Sequence, residues 1–267
     1  MAFFDELIYL IVSTGASVIG SICGLGGGII IKPLLDAMGT MSVETVSFLS
    51  GCTVFSMAVA SVVRSFRSKV FTGRIDLRAS TPLAVGAVIG GIVGQAAFQA
   101  LKASSGDPAT VGAAQSFALF LTTFASLLYT LFEGRIAKLR IEHMSVSLLS
   151  GVGMGIVASF IGIGGGPINI MVLSFFFSME TKQAAANSLY VVMFSQASSI
   201  AHIFMKGAVP DFSPLTLALM IAGGIGGALI GSRINKKISS AAVRRLYIAL
   251  MLVIVAGALY NAWHFMR

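Results

Sequence analysis

The sequence predicts an all-α integral membrane protein, a polytopic helical bundle built from two homologous halves. Of the 267 residues, 56% are hydrophobic and only 10% are charged, whereas soluble domains carry about 25% charged residues. The apolar residues form eight segments. A helix that spans a bilayer needs about 20 consecutive apolar residues. A glycine cluster interrupts the first segment of each half.

The eight apolar segments divide into four in each half. They occupy residues 7–31, 43–63, 81–101, 113–132, 145–178, 183–205, 212–231 and 243–266. We therefore predict a first transmembrane repeat (1–132), a linker (133–144) and a second transmembrane repeat (145–267). Asp5 and Glu6 precede the first apolar run without any Lys or Arg, which is not typical of a cleaved signal peptide.

Three features recur in both halves and indicate an internal duplication. The matched pairs are Gly24–Gly28 with Gly162–Gly166 and Ser50 with Ser188, both 138 residues apart, and Gly90–Gly94 with Gly223–Gly227, 133 residues apart. One pair alone would carry little weight, because glycine is common in membrane helices. Three pairs in the same order predict a repeat.

The basic residues predict how the halves are oriented, because Lys and Arg are enriched in cytoplasmic loops. If all eight segments cross once with the N-terminus inside, 10 basic residues lie inside and 8 outside. If each glycine-broken segment turns back and the N-terminus is outside, the linker and the other basic loops are cytoplasmic, and the division becomes 14 to 4. We therefore predict two re-entrant segments, each with a long and a short arm. The halves would form an inverted repeat about an axis in the membrane plane.

The two glycine clusters are the predicted substrate site. Each glycine weakens a helix by about 1 kcal/mol relative to alanine, so four within five residues break it. Backbone groups freed in this way are tolerated at membrane depth only beside protein or a wet cavity, and the N-terminus of a half-helix suits an anion. The predicted binding residues are Gly24, Gly26, Gly27, Gly28, Gly162, Gly164, Gly165 and Gly166.

Close helix packing is the alternative role for membrane glycines. We prefer it for the second set of matched glycines, Gly90, Gly91, Gly94, Gly223, Gly224 and Gly227. For the clusters themselves we prefer the binding role, because packing motifs space glycines four residues apart and the clusters are contiguous.

Polar residues on the second helix of each half extend the predicted site. Ser50, Asn187 and Ser188 lie at matching places in the repeat and could donate hydrogen bonds to an oxyanion, or join helices to each other. Lys32, Asn169, Ser195 and His202 are secondary candidates. Lys32 could instead extend towards the membrane surface, and His202 could cap its helix.

Other classes of function find little support. The sequence contains no H-E-x-x-H or G-x-S-x-G pattern and no cluster of metal ligands. We therefore predict no enzymatic activity, cofactor or metal. The net charge is +8, but the basic residues are confined to short loops between apolar segments. We therefore predict no nucleic-acid partner. The predicted partners are a small anionic substrate and the lipid bilayer, with a homo-oligomer and a coupling ion left open.

The glycine patterns resemble those of a known family. G-x-G-G-G-x4-P-x-L from Gly24 to Leu35 and G-x-G-G-G-P from Gly162 to Pro167, in a duplicated membrane protein, resemble the TauE/SafE sulfite exporter family. The resemblance covers almost the whole chain, although Met171 stands where the first half has Pro33.

The resemblance implies a secondary transporter of the inner (plasma) membrane. It would move small sulfur-containing anions such as sulfite, sulfoacetate or other organosulfonates by alternating access. An anion channel of the same architecture is the alternative, and a membrane scaffold without transport is a third possibility.

Overall fold

The computed structural model describes residues 2–67, 75–105, 108–141, 143–161 and 165–265, and its regular structure in these ranges is helical. The α-helices are α1 (Ala2–Cys23), α2 (Gly28–Met38), α3 (Val43–Arg67), α4 (Leu77–Ser105), α5 (Pro108–Phe132), α6 (Met144–Ile161), α7 (Gly166–Phe176), α8 (Thr181–Met205), α9 (Pro214–Lys237) and α10 (Ser240–Phe265). A 3-10 turn, Glu133–Arg135, follows α5.

Eight of the described helices are long and apolar enough to cross a membrane. The exceptions are α2 and α7, which have 11 residues each and follow the two glycine clusters. Large apolar side chains such as Phe117 and Leu149 are exposed on the outside of the bundle, as lipid-facing residues are. The prediction of an all-α polytopic membrane bundle is confirmed.

Helices α1 and α2 form a hairpin that begins and ends at the same face of the bundle. Tyr9, early in α1, and Thr40, just beyond α2, have their hydroxyl oxygens 2.7 Å apart. The arms have 22 and 11 residues, so a long arm enters and a short arm returns. This is the re-entrant arrangement that the distribution of basic residues predicts.

Helices α6 and α7 form the second hairpin. The N–H groups of Leu139 and Ile141, which precede α6, donate to the carbonyl oxygens of Phe175 and Phe176 at the end of α7, at 3.1 and 2.8 Å. Helix α7 therefore returns to the face at which α6 begins. The arms have 18 and 11 residues, again one long and one short.

The two hairpins open to opposite faces of the bundle. Helix α3 begins at the face to which α2 returns and crosses the bundle, so α4 begins at the other face. Helices α4 and α6 are parallel, because Gly86 lies against Leu148 and Gly90, one turn later, against Val152. Helix α6 therefore begins opposite to α1. This arrangement is consistent with the predicted inverted repeat.

Basic residues are concentrated at the face where α4 and α6 begin, which we call the basic face. The described residues there are Arg64, Arg67, Arg78, Arg135, Lys138, Arg140, Lys182, Arg233, Lys236, Lys237, Arg244 and Arg245. Lys206 lies at the opposite face, after the end of α8. The sequence prediction with two re-entrant segments places the same loops together, on the cytoplasmic side.

Two rows of glycines bring long helices into backbone contact. Gly86, Gly90 and Gly94 of α4 face α6, and Gly223, Gly227 and Gly231 of α9 face α1. A Cβ at any of these positions would overlap an atom of the facing helix. Gly91 similarly faces Ser159 of α6, and Gly224 faces Thr53 of α3. The predicted packing role of these glycines is confirmed.

The glycine rows correct the register of the repeat in this region. The expected match of Gly90–Gly94 with Gly223–Gly227 is wrong by one helical turn. Gly90 occupies in the α4–α6 contact the place that Gly227 occupies in the α1–α9 contact. Glycines that recur every four residues can be aligned equally well after a shift of one helical turn. Sequence similarity alone therefore did not determine the register.

The two halves exchange helices. Helix α1 packs on α9, α6 packs on α4, and α3 and α8 pack against each other and against α9 and α4 respectively. Helices α5 and α10 form a separate pair. The chain therefore builds one packed unit from α1, α2, α3 and α9 and another from α4, α6, α7 and α8. We call these the α1 unit and the α6 unit.

Candidate functional site

The two helix breaks lie against each other where the α1 unit meets the α6 unit. Gly166, the first residue of α7, is so close to the carbonyl group of Leu25 that a Cβ at Gly166 would overlap it. The hydroxyl of Ser188 in α8 donates a hydrogen bond of 2.6 Å to the carbonyl oxygen of Gly24. Leu25 and Ser188 are fully buried. The breaks therefore form one common region.

The lengths of the short arms place this region near the middle of the membrane. Helices α2 and α7 have 11 residues each, which is about 16 Å of helix at 1.5 Å per residue. The hydrocarbon core of a bilayer is about 30 Å thick. Two short arms that enter from opposite faces therefore meet about halfway.

The breaks require glycine for two reasons. Gly24, Gly26 and Gly165 have φ angles of 74°, 67° and 71°, in the left-handed region that side chains disfavour. A Cβ on Gly24 would also overlap the backbone of Ala185 in α8. The first cluster thus packs directly on the second helix of the other half.

Both short helices begin at the breaks, as predicted. The N–H groups of Ile31 and Asn169 donate to the carbonyl oxygens of Gly27 and Gly165, at 2.9 and 3.1 Å. The N–H group of Ile30 also donates to the carbonyl oxygen of Gly27, at 3.0 Å. The N–H groups of Gly28, Ile29, Gly166 and Ile168 come before the first intrahelical hydrogen bonds and carry a partial positive charge. Pro167 lies in the first turn of α7, where its missing N–H costs nothing.

The remaining glycines and serines of the predicted site fall in the same region where they are described. Gly27 and Gly28 form the start of α2, and Gly165 and Gly166 form the start of α7. Ser50 is buried in α3, at the repeat position of Ser188. Gly162 and Gly164 lie outside the described residues.

Asn187 joins α8 to the start of α4. Its Oδ1 accepts hydrogen bonds from the backbone N–H of Asp76 at 2.8 Å and from the hydroxyl of Ser80 at 2.5 Å. Its Nδ2 donates to the carbonyl oxygen of Gln183 at 2.7 Å. The carboxamide therefore fixes the start of α4 beside Ser188.

Lys32 and His202 lie away from the meeting point of the breaks. Lys32 is in the second turn of α2 and forms no ion pair with a carboxylate among the described residues. His202 is in the last turn of α8, where its carbonyl oxygen accepts the N–H of Lys206 at 3.1 Å.

Asn169 and Ser195 are brought together in a narrow crevice beside the second break, which we call the α7 crevice. Its other lining residues are small or apolar and come from α4, α6 and α8: Ala87, Met154, Gly155, Ala158 and Val191. Ala158 also lies against Gly165. In this conformation the crevice is too narrow to admit a water molecule.

One set of contacts at the second break was not foreseen from the sequence. The carbonyl oxygen of Pro167 accepts hydrogen bonds from the hydroxyls of Ser126 in α5 at 2.8 Å and Tyr247 in α10 at 3.2 Å. The hydroxyl oxygens of Ser126 and Tyr247 are 2.6 Å from each other. A serine and a tyrosine in apolar helices carry no pattern that indicates this role, so only the fold reveals it.

Comparison with known proteins identifies the family. The model described as "Sulfite exporter TauE/SafE" matches residues 9–258. The chain belongs to the TauE/SafE sulfite exporter family. The glycine clusters of this TauE/SafE protein, on which the resemblance was based, lie within the matched range.

Individual relatives of this TauE/SafE protein match over shorter regions. The "Probable membrane transporter protein MamO" of Paramagnetospirillum magneticum is 28% identical over 118 residues, 42% of this chain and 18% of that protein. The "Probable membrane transporter protein y4hK" of Sinorhizobium fredii is 35% identical over 91 residues, 34% of this chain and 37% of that protein. The matches therefore span well under two thirds of either relative. No solved structure matches the chain.

Proposed function

We propose that this TauE/SafE-family protein is a secondary transporter of small sulfur-containing anions, such as sulfite, sulfoacetate or other organosulfonates. Family membership supports the transporter class. The observation that supports an anionic substrate is the meeting of two short helices, α2 and α7, which both begin at the central breaks. Their N-termini bring partial positive charge to a place near the middle of the bilayer.

In this proposal the backbone N–H groups of the two breaks bind the anion, together with the hydroxyls of Ser50 and Ser188. The Ser188 hydroxyl would exchange its hydrogen bond to the carbonyl oxygen of Gly24 for one to the anion. Asn187 contributes by fixing the start of α4 beside Ser188. These are neutral donors, so the site does not require a buried basic side chain. Lys32 lies one turn beyond the start of α2, so its ammonium group is less well placed for direct contact with the anion than the backbone N–H groups of the breaks.

Alternating access would come from movement of the α1 unit against the α6 unit. Each unit is held together by a glycine row, where the facing backbones leave no room for a side chain. The breaks lie between the units, so a rocking motion would open them first to one face and then to the other. The rocking bodies are then the two packed units rather than the two halves of the sequence.

The protein would lie in the inner (plasma) membrane with its basic face in the cytoplasm, as the positive-inside rule predicts. The sequence contains no nucleotide-binding motif. Transport would therefore draw on an ion gradient, the membrane potential or the gradient of the substrate. The close contact of Gly166 with Leu25 closes the path between the breaks in this conformation, as it would in an occluded transporter. An anion channel of the same architecture is the second candidate.

Glycine substitutions at the breaks test this proposal. Gly27→Leu and Gly165→Leu should abolish sulfite and sulfoacetate binding by the purified protein and uptake into proteoliposomes. Gly27→Ala is a milder variant, because Gly27 has a φ of −56° and the nearest atoms to an added Cβ are 3.3 Å away. Gly153→Leu in α6 is the matched control, since an added Cβ there meets nothing within 4 Å.

The expected result is loss of binding in the two leucine variants at the breaks, with the control unchanged and all variants monodisperse in detergent. Binding that survives in both would place the site elsewhere. Saturating flux with counterflow would support the transporter, and unsaturated flux without counterflow would support the channel.

A further inference from the structure

Asn169 is a buried polar residue with an unused carboxamide. It lies in the first turn of α7, is 3% exposed, and lines the α7 crevice. Within the described part of the chain its side chain makes no hydrogen bond, while its backbone N–H donates to the carbonyl oxygen of Gly165. Burying an amide without a partner costs free energy. A ligand bound beside Asn169 would supply the missing partner.

Ser195 lies on the other side of the same crevice, on α8. The crevice therefore presents a carboxamide and a hydroxyl, with the start of α7 beside them. Its other walls are small or apolar and include Met154 and Val191. Mostly apolar walls with a few convergent polar groups are the chemistry typical of a small-molecule site. The crevice admits no water in this conformation, so an anion would enter it only after α7 and α8 move apart.

The matching place in the first half is closed. At the offset of 138 residues that relates the two breaks, Ile31 corresponds to Asn169 and Met57 corresponds to Ser195. Both Ile31 and Met57 are fully buried in apolar clusters. The two polar residues of the crevice are thus replaced by packed apolar side chains in the first half, while Ser17 and Thr53 stand there in place of Gly155 and Val191.

We propose that the α7 crevice is a one-sided subsite that binds a monoanionic oxyanion, with Asn169 and Ser195 donating hydrogen bonds to it. This inference rests on the proposed function and extends it from the central breaks to a particular subsite and a particular charge state. The first half contributes helix ends to the centre but no equivalent subsite.

The charge state follows from the residues that line the crevice. None of them carries a basic side chain, so the crevice offers only neutral donors and the partial charge of one helix end. Transfer of an ion from water to an apolar site is costly, and the Born cost rises with the square of the charge. The crevice therefore favours a monoanion such as an organosulfonate or bisulfite over a dianion such as sulfate.

Titration calorimetry on the purified full-length protein tests the proposal with methanesulfonate and sulfate as probes at equal ionic strength. The wild-type protein should bind methanesulfonate more tightly than sulfate. Asn169→Leu should weaken methanesulfonate binding about tenfold or more, as expected for loss of a hydrogen bond to a charged group. Leucine is a reasonable replacement for folding, because Ile31 occupies the matching place in the first half.

Ser195→Ala is the second variant, and it should also weaken methanesulfonate binding. It removes a single partly buried hydroxyl, so the fold is not at risk. Ser56→Ala is the matched control. Ser56 in α3 is also partly buried, but its hydroxyl donates to the carbonyl oxygen of Cys52 in its own helix at 2.9 Å, and it does not line the α7 crevice.

Sulfite gives an independent reading of charge preference. Its affinity should fall as the pH rises through its second ionisation, because bisulfite is replaced by the dianion.

If wild-type protein binds and transports anions but Asn169→Leu and Ser195→Ala bind methanesulfonate normally, the subsite is wrong while the transporter stands. Tighter binding of sulfate than of methanesulfonate would also overturn the subsite. If the wild-type protein binds no anion at all, the proposed function fails as well.

Discussion

Asn187 should stabilise the protein by holding α4 against α8, and Asn187→Leu tests this role. The carboxamide oxygen accepts hydrogen bonds from the N–H of Asp76 and the hydroxyl of Ser80, and Asn187 and Ser80 are both fully buried. Leucine would leave both donors without this acceptor. A buried donor without a partner costs about 1–3 kcal/mol. The Ser80 hydroxyl is such a donor, whereas Asp76 is exposed, so the free energy of unfolding should fall by about 1–3 kcal/mol.

A double-mutant cycle with Ser80→Ala separates this contact from general disruption. Alone, Ser80→Ala should cost about 1 kcal/mol, because it removes one of the two hydrogen bonds. In the Asn187→Leu background it should cost nothing, because it removes a hydroxyl that already lacks this acceptor. The assay is reversible unfolding in mixed micelles, and the expected coupling energy is about 1 kcal/mol.

Ser61→Ala is the control for the cycle. Its hydroxyl is buried in α3 without a hydrogen-bond partner in the described ranges, so its removal should not destabilise the protein. Strictly additive losses for Asn187→Leu and Ser80→Ala would refute the proposed connection between α8 and α4.

Two further predictions concern the packing around the breaks. Gly90→Leu should destabilise the α4–α6 pair by at least about 1–3 kcal/mol, because the side chain has no space against the facing backbone. Unchanged thermal stability in detergent would contradict the close contact. Tyr247→Phe should lower the free energy of unfolding by about 1–2 kcal/mol, because it removes a buried hydroxyl bonded to Ser126 and Pro167. A smaller effect in the Ser126→Ala background would support a shared network, and equal effects would argue against it.

Much of the architecture could be predicted because it depends on local composition. Apolar runs of about 20 residues identify membrane helices, and the contiguous glycines of Gly24–Gly28 indicate a break. The positions of Lys and Arg then distinguish re-entrant from spanning segments. The structure agrees with each of these, including the start of α7 at Gly166.

The packing partners could not be predicted because they depend on contacts distant in sequence. Nothing near Gly223 indicates that its row faces α1 of the other half. Asn187 was grouped with the predicted ligands because of its place in the repeat with Ser50 and Ser188. The two donors to its Oδ1, on Asp76 and Ser80, lie more than 100 residues away in the sequence.

The difference between the halves was present in the sequence but became informative only with the fold. Asn169 and Ile31 stand at matching positions of the repeat. The structure shows that the first lines a crevice and the second is packed in an apolar cluster.

The central claim is that two short-armed hairpins enter from opposite faces and meet at their glycine breaks, and cysteine accessibility tests it most directly. Thr40→Cys and Glu180→Cys place exposed thiols just after α2 and α7, in a background with Cys23→Ala and Cys52→Ala. A membrane-impermeant maleimide should label Cys at position 40 only from the outside and at position 180 only from the cytoplasmic side. Labelling of both positions from the same side would contradict the opposed hairpins and the anion site between them.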